Sequence, residues 1–257
     1  MTVSRAEVID ACRDAVEPMP TVLAMWEAGS TAFGRADEWS DLDLYVLAED
    51  EAVDDVLSAL EGALDSTAGI AAAHRAPEPT PHGHAQAFYR LTDAVPFLVV
   101  DLVVLRRSVP ERFLERQLHG TPVVLFDRTG EIVATELDGD AHRAALEQRL
   151  TALRERFEVF QAFVTKEVRR GNAIGAIEAF HVLTMRPLVE VLGMRHVPER
   201  SSYGAHYAHL DYPRPAVDRL ARLWYPAGVG SVEAHRAEAE SWFYEVADDV
   251  ADRLRGH

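Results

Sequence analysis

Cysteine is almost missing from this chain: Cys12 is the only one, which excludes an intramolecular disulfide and any metal site built from thiolates. Lysine is equally scarce, since Lys166 is the single lysine among 26 basic residues. No apolar run approaches the roughly 18 residues of a membrane-spanning helix, so no membrane span is expected. The start, MTVSRAEVIDACRD, is charged and helix-like and lacks the basic-then-apolar layout of a signal peptide, so a cytoplasmic location is expected. The basic excess of a nucleic-acid binder is missing too. A net charge of −16 argues against gripping a phosphate backbone, which requires clustered Lys and Arg. An acidic surface would attract cationic small molecules, although a salt-adapted or high-GC source would give the same bias.

What is there belongs to an ordinary globular chain. With 48% hydrophobic and 26% charged residues, 257 residues can bury one large core or two modest ones. Two domains are expected, with the boundary in the polar stretch ELDGDAH at 136–142. Residues 5–17 read as a helix and 21–28, TVLAMWEA, as an apolar strand running into Gly29-Ser30. Leu42, Leu44 and Val46 alternate with Asp41, Asp43 and Tyr45, the period of a strand whose two faces differ. A helix is expected at 51–64, strands at 69–75 and 86–91, and between these strands a Pro-rich loop, with His74, His82 and His84 in or beside it read as loop residues. Residues 96–105, PFLVVDLVVL, look like a central strand covered on both sides, with Asp101 in its middle. A hairpin is expected over 121–134, turning at Asp127 to Gly130.

Everything after the boundary reads as helical. Leu146, Leu150, Leu153, Phe157, Phe160, Val164 and Val168 recur at steps of three and four, predicting one long amphipathic helix that stops at Gly171-Asn172. A second helix runs from about Ala173 to Leu192, bent at Pro187, and two more follow at 214–224 and 231–255. They would pack as a small bundle.

The chemistry is carried by GSTAFGRADEWSDLDLYV. Gly29 lets backbone approach a phosphate closely, and Ser30 can cap a short helix beginning at Thr31, so that amides and a hydroxyl meet a triphosphate. Asp41 and Asp43, on one strand face, supply hard oxygen ligands suited to Mg²⁺, whose remaining positions take phosphate oxygens and water. An ionised carboxylate inside VVDLVV costs several kcal/mol or more unless paired or bound to a cation, so a metal site would explain Asp101. Three carboxylates on neighbouring strands could bridge two Mg²⁺ ions.

These features, Gly29-Ser30, Asp41-x-Asp43 and a later strand Asp101, resemble the polymerase-β-type nucleotidyltransferase superfamily. The helical remainder is similar in layout to bacterial aminoglycoside and lincosamide nucleotidyltransferases. The resemblance implies an α+β chain: a catalytic domain over residues 1–135, a mixed sheet flanked by helices, then a helical bundle over 136–257 that binds the acceptor. It implies transfer of a nucleoside monophosphate, AMP from ATP, to a hydroxyl of a small acceptor such as an aminoglycoside-like antibiotic. By the same resemblance Gly29 and Ser30 would contact the β- and γ-phosphates, Asp41 and Asp43 would bind both metals, and Asp101 would bind the catalytic metal and accept the proton. Lys166, on the first bundle helix, would reach the triphosphate or else stand as a solvated lysine. Glu178 and His181, flanked by Ile174, Ile177 and Met185, could serve as a base or be ordinary helix residues.

Other readings stay open. Gly29 and Gly34 have P-loop spacing, but Arg35 and Ala36 stand where that motif needs lysine and a hydroxyl. Adenylylation of a protein or RNA, as by antitoxin-type nucleotidyltransferases, would use the same motifs, and so would a non-catalytic nucleotide-binding module. The rings of Tyr203, His206, Tyr207, His209 and Tyr212 could line an acceptor pocket or simply pack between helices.

Overall fold

The structure, a computed structural model, describes residues 2–256. The chain forms two compact units, one ending at Leu137 and the other beginning at Asp138. The first opens with α1 (Arg5–Val16), started by a reciprocal cap in which Ser4 Oγ accepts the Glu7 N–H and Glu7 Oε2 accepts the Ser4 N–H. There follow β1 (Val22–Glu27), α2 (Gly29–Ala32), β2 (Leu42–Ala48), α3 (Val53–Ala68), β3 (Ile70–Arg75), β4 (Ala85–Leu91), β5 (Val99–Arg106), α4 (Arg116–His119) and β6 (Val123–Asp127). They make one mixed sheet in the order β3-β4-β5-β2-β1-β6. Its β2–β5 pair is parallel and the other pairs are antiparallel.

Strand alternation decides what each face does. Leu42, Leu44 and Val46 of β2 and Val100, Leu102 and Val104 of β5 point to one face, where Val8, Cys12, Leu57 and Leu60 of α1 and α3 close over them. Each such leucine or valine, fully buried, contributes about 1.5–3 kcal/mol. On the opposite face Trp26, Leu47, Val103 and Leu105 pack with Leu114 and Ile132. That cover stops short of the residues nearer the start of β5. Asp101 is therefore half-buried, which corrects the expectation of a strand enclosed on both sides along its whole length.

The expected hairpin at 121–134 does not form. β6 pairs with β1 at the sheet edge, and Asp127 takes the N–H groups of Thr129, Gly130 and Ile132. Burying Ile132 draws the chain beneath the sheet, where Thr135 makes one isolated bridge to Glu115. The loop reading of the histidines holds for His82 and His84, which precede β4, and needs correction for His74 alone. His74 lies on β3. His84 is fully buried, with Nε2 on the Glu111 carbonyl at 3.0 Å and Nδ1 accepting the Arg106 N–H at 3.1 Å. Both ring nitrogens are used, so burial holds this histidine neutral and its pKa below the ordinary value.

The second unit is helical: α5 (Gly139–Arg169), α6 (Ala173–Phe180), α7 (Arg186–His196), α8 (Ala208–Asp211), α9 (Arg214–Trp224) and α10 (Val229–Arg255). Asp138 caps α5 by accepting the N–H groups of Asp140 and Ala141, and Gly171, at φ +68°, follows its end. Phe157 and Phe243 stack at 3.8 Å in the core between α5 and α10. The α5 stripe buries Gln161, whereas Phe160 is only partly buried. The reason is the bend ahead of Pro187. His181–Met185 forms a π turn closed by the Arg186 N–H on the His181 carbonyl. Pro187 has no N–H for the Leu183 carbonyl, which accepts Gln161 Nε2 at 2.9 Å instead. Gln161 Oε1 in turn accepts the Thr184 hydroxyl at 2.7 Å. The chain thus has the expected α+β architecture, a mixed sheet with helices and then a helical unit. Among the described residues, no helix is long and apolar enough to cross a membrane.

Candidate functional site

The end of β1 meets the start of β2 at very close range. The Ala28 N–H bonds the Asp43 carbonyl at 3.0 Å, and Gly29 follows with φ +54°. A Cβ on Gly29 would stand 1.8 Å from Asp43 Oδ2 and 2.4 Å from its Cγ, so no side chain fits here. Glycine is required both for its backbone angle and for room. The turn that follows begins two residues earlier than expected. α2 spans Gly29–Ala32 with Ala28 as its N-cap, so Ser30 lies inside the turn and does not cap it. Its Oγ is buried and has no hydrogen-bond partner among the described residues. An unsatisfied buried hydroxyl costs about 1–3 kcal/mol, so its retention beside Gly29 suits a cradle for a ligand oxygen.

The carboxylates come together through strand register. Asp43 and Asp101 are direct partners in the parallel β2–β5 pair, on the face opposite the α1–α3 core. Asp41, just before β2, is exposed and lies two residues from Asp43 across the fully buried Leu42. Burial pushes the Asp43 carboxyl up to about 6, helped by the negative charges of Asp101, Asp41 and Glu27 and opposed by Arg5. Asp101 is raised as well, first by burial and then by Asp41, while a hydrogen bond from Gln86 lowers it.

Several supporting residues carried no signal in the sequence reading. Arg5 of α1 donates from Nη1 to the Asp41 carbonyl at 2.5 Å and from Nη2 to Glu27 at 3.1 Å and Thr31 at 2.9 Å. One guanidinium thus ties α1 to β1, α2 and the head of β2. Gln86 of β4 donates from Nε2 to both Asp101 oxygens, at 2.9 and 3.1 Å. Its own Oε1 lies 3.3 Å from His82 Nε2. Glu27, the one charged residue in a strand that is otherwise apolar, was the one available clue to this network. A divalent cation fits these donors. Three carboxylates converge, two of them half-buried with pKa values raised by burial, and Arg5 is the basic group that counters Asp43.

Lys166 and Glu178 belong to the helical unit. Lys166 is exposed near the end of α5, its ammonium 4.9 Å from the centroid of the Phe163 ring. Glu178 is exposed on α6. Elsewhere in the first unit, Glu111, Glu115 and His119 bring ligand atoms within 4.8 Å of one another, but Glu111 Oε1 is engaged by the Phe113 N–H at 2.7 Å.

No family model matches the chain. No curated protein matches it either. Among solved structures it is similar to an aminoglycoside 6-adenyltransferase from Bacillus subtilis, at 10% identity and TM-score 0.38, over 98% of this chain and 92% of that one. A spectinomycin adenyltransferase from Enterococcus faecialis, solved with ATP and spectinomycin, aligns at 10% identity and TM-score 0.37 over 98% of this chain and 100% of that one. Terminal uridylyl transferase 4 from Trypanosoma brucei, with bound UPU, aligns at 18% identity and TM-score 0.28 over 41% of this chain and 36% of that one.

Proposed function

We propose that this chain is a Mg²⁺-dependent nucleotidyltransferase that moves a nucleoside monophosphate, AMP from ATP, to a hydroxyl of a small acceptor. One observation carries the reading: Gly29 backbone lies against the Asp43 carboxylate, with the Ser30 hydroxyl, which has no partner among the described residues, beside it and Asp101 across the strand pair. That arrangement suits a triphosphate lying on α2 and meeting cations at the carboxylates. Asp41, Asp43 and Asp101 would hold two Mg²⁺ ions, which when bound supply the positive charge that lets all three carboxylates stay ionised beside a triphosphate.

The remaining work falls to protein groups. Gly29 and Ser30 orient the phosphates through backbone amides and Oγ. Asp101 takes the proton of the attacking hydroxyl. The hydroxyl oxygen bonds to the α-phosphorus, the bond from that phosphorus to the bridging oxygen breaks, and pyrophosphate leaves with the electron pair. Gln86 holds the Asp101 carboxylate in place for this role. Residues 1–135 would carry the transfer and 136–257 the acceptor. Lys166 would serve the triphosphate and Glu178 would stand as a second candidate base. Both side chains are exposed. The acidic surface suits a cationic acceptor such as an aminoglycoside-like antibiotic.

The test is incubation with Mg²⁺, α-labelled ATP and a panel of such antibiotics, and then with cell extract. Label should move to a small molecule and stay on ATP with Asp41→Ala or Asp43→Ala. Label on a macromolecule would favour protein or RNA adenylylation. Transfer that survives both substitutions would sink the proposal.

A further inference from the structure

The helical unit contains a cavity of about 520 Å³ built from its own residues, among them His181, Arg186, Val189, Glu190, Ser201 and Trp224. That volume lies within the range of small-ligand sites. The π turn shapes it. On an uninterrupted α-helix, residues five apart point about 140° away from each other. Here the Arg186 N–H bonds the His181 carbonyl across the turn, and both residues line the same cavity. Gln161 and Thr184 fix that turn from the core side. Such turns recur at functional sites.

The charges around the cavity are unequal. Glu190 is held by Arg149, with Nε 2.5 Å and Nη2 2.9 Å from its two oxygens, so its charge is met. Arg186 makes no ion pair among the described residues, in a chain where 42 acidic residues outnumber 26 basic ones. The His181 ring lies 5.3 Å from the partly exposed Trp224 ring, centroid to centroid. Burial first, and Arg186 second, hold the His181 pKa below its ordinary value, so it adds no charge near neutral pH. The cavity thus offers two aromatic faces, an apolar wall at Val189 and one uncommitted guanidinium, whose planar fork matches a carboxylate or phosphate.

We propose that this cavity binds a planar aromatic anion, its ring against Trp224 and His181 and its carboxylate or phosphate on Arg186. The site goes beyond the transfer reading, since none of its residues belongs to the carboxylate cluster. An aromatic carboxylate and a nucleoside monophosphate share the required chemistry.

Calorimetric titration of the full chain with 1-naphthoate, 1-naphthylmethylamine and AMP tests it. All titrations are repeated in an Asp41→Asn/Asp43→Asn double variant without divalent cations, which keeps failure of the transfer reading separate from failure of this one. In that background naphthoate or AMP should bind, the amine at least about tenfold more weakly, and Arg186→Gln should weaken the anion about tenfold or more with an unchanged melting temperature. Displacement of naphthoate by AMP would assign a nucleoside phosphate, and its failure an aromatic carboxylate. Equal binding of amine and acid, anion affinity unmoved by Arg186→Gln, or no binding of either anion would overturn the proposal.

Discussion

Replacing Asp43 by asparagine keeps the side chain's shape and removes its charge, so the change isolates what burying that charge costs. In the folded chain the Asp43 carboxyl holds its proton up to about pH 6, against an ordinary value of 3.8. Between those values the folded state binds more protons than the unfolded state, so stability falls as pH rises through that window. At about 1.4 kcal/mol per pH unit, the ionised group destabilises the apo protein by about 3 kcal/mol at pH 7.5. The asparagine amide, half-buried without a partner, returns about 1 kcal/mol of cost, leaving Asp43→Asn about 2 kcal/mol more stable. Urea unfolding in EDTA, with hydrogen exchange of β2 and β5 amides to read the first unit separately, measures the difference. The advantage should shrink to near zero at pH 4.5, where folded Asp43 is already protonated. Millimolar Mg²⁺ should stabilise the wild type and not the variant, by ligand linkage. A variant less stable than wild type at pH 7.5, or an advantage that does not change with pH, would refute the reasoning.

Ser30→Ala should raise the melting temperature by a few degrees, because it removes a buried hydroxyl with no partner among the described residues, while raising KM for ATP about tenfold; an unchanged KM in steady-state kinetics would remove Ser30 from the phosphate cradle. Gln161→Leu should destabilise the helical unit by about 2–4 kcal/mol in denaturant unfolding, since it strands the Leu183 carbonyl and the Thr184 hydroxyl in the core. A loss below about 1 kcal/mol would show that the π turn does not depend on that amide.

Local periodicity was enough wherever burial on one element dictated the pattern. The helix expected at 214–224 matches α9, and the alternation of Leu42, Leu44 and Val46 matches the buried face of β2. It failed where the deciding contact was distant. The hairpin at 121–134 gave way to β6 pairing with β1, about a hundred residues earlier, and Phe160 yielded its expected core position to Gln161 because Pro187 leaves a carbonyl in need of a donor. Short-range spacing cannot register either demand.

The candidate site divides in the same way. From sequence alone came the residue types and their local spacing: a Gly-Ser pair after an apolar strand, two aspartates in period two, and a third inside a β-branched run. Those follow from chemistry that acts within a few residues. Only the tertiary structure set Asp101 directly beside Asp43, brought Arg5 36 residues along the chain to Asp41, turned Gln86 onto Asp101, and left the Ser30 hydroxyl without a partner among the described residues. Strand register and helix docking are fixed by burial summed over the whole sheet, so no window of sequence contains them.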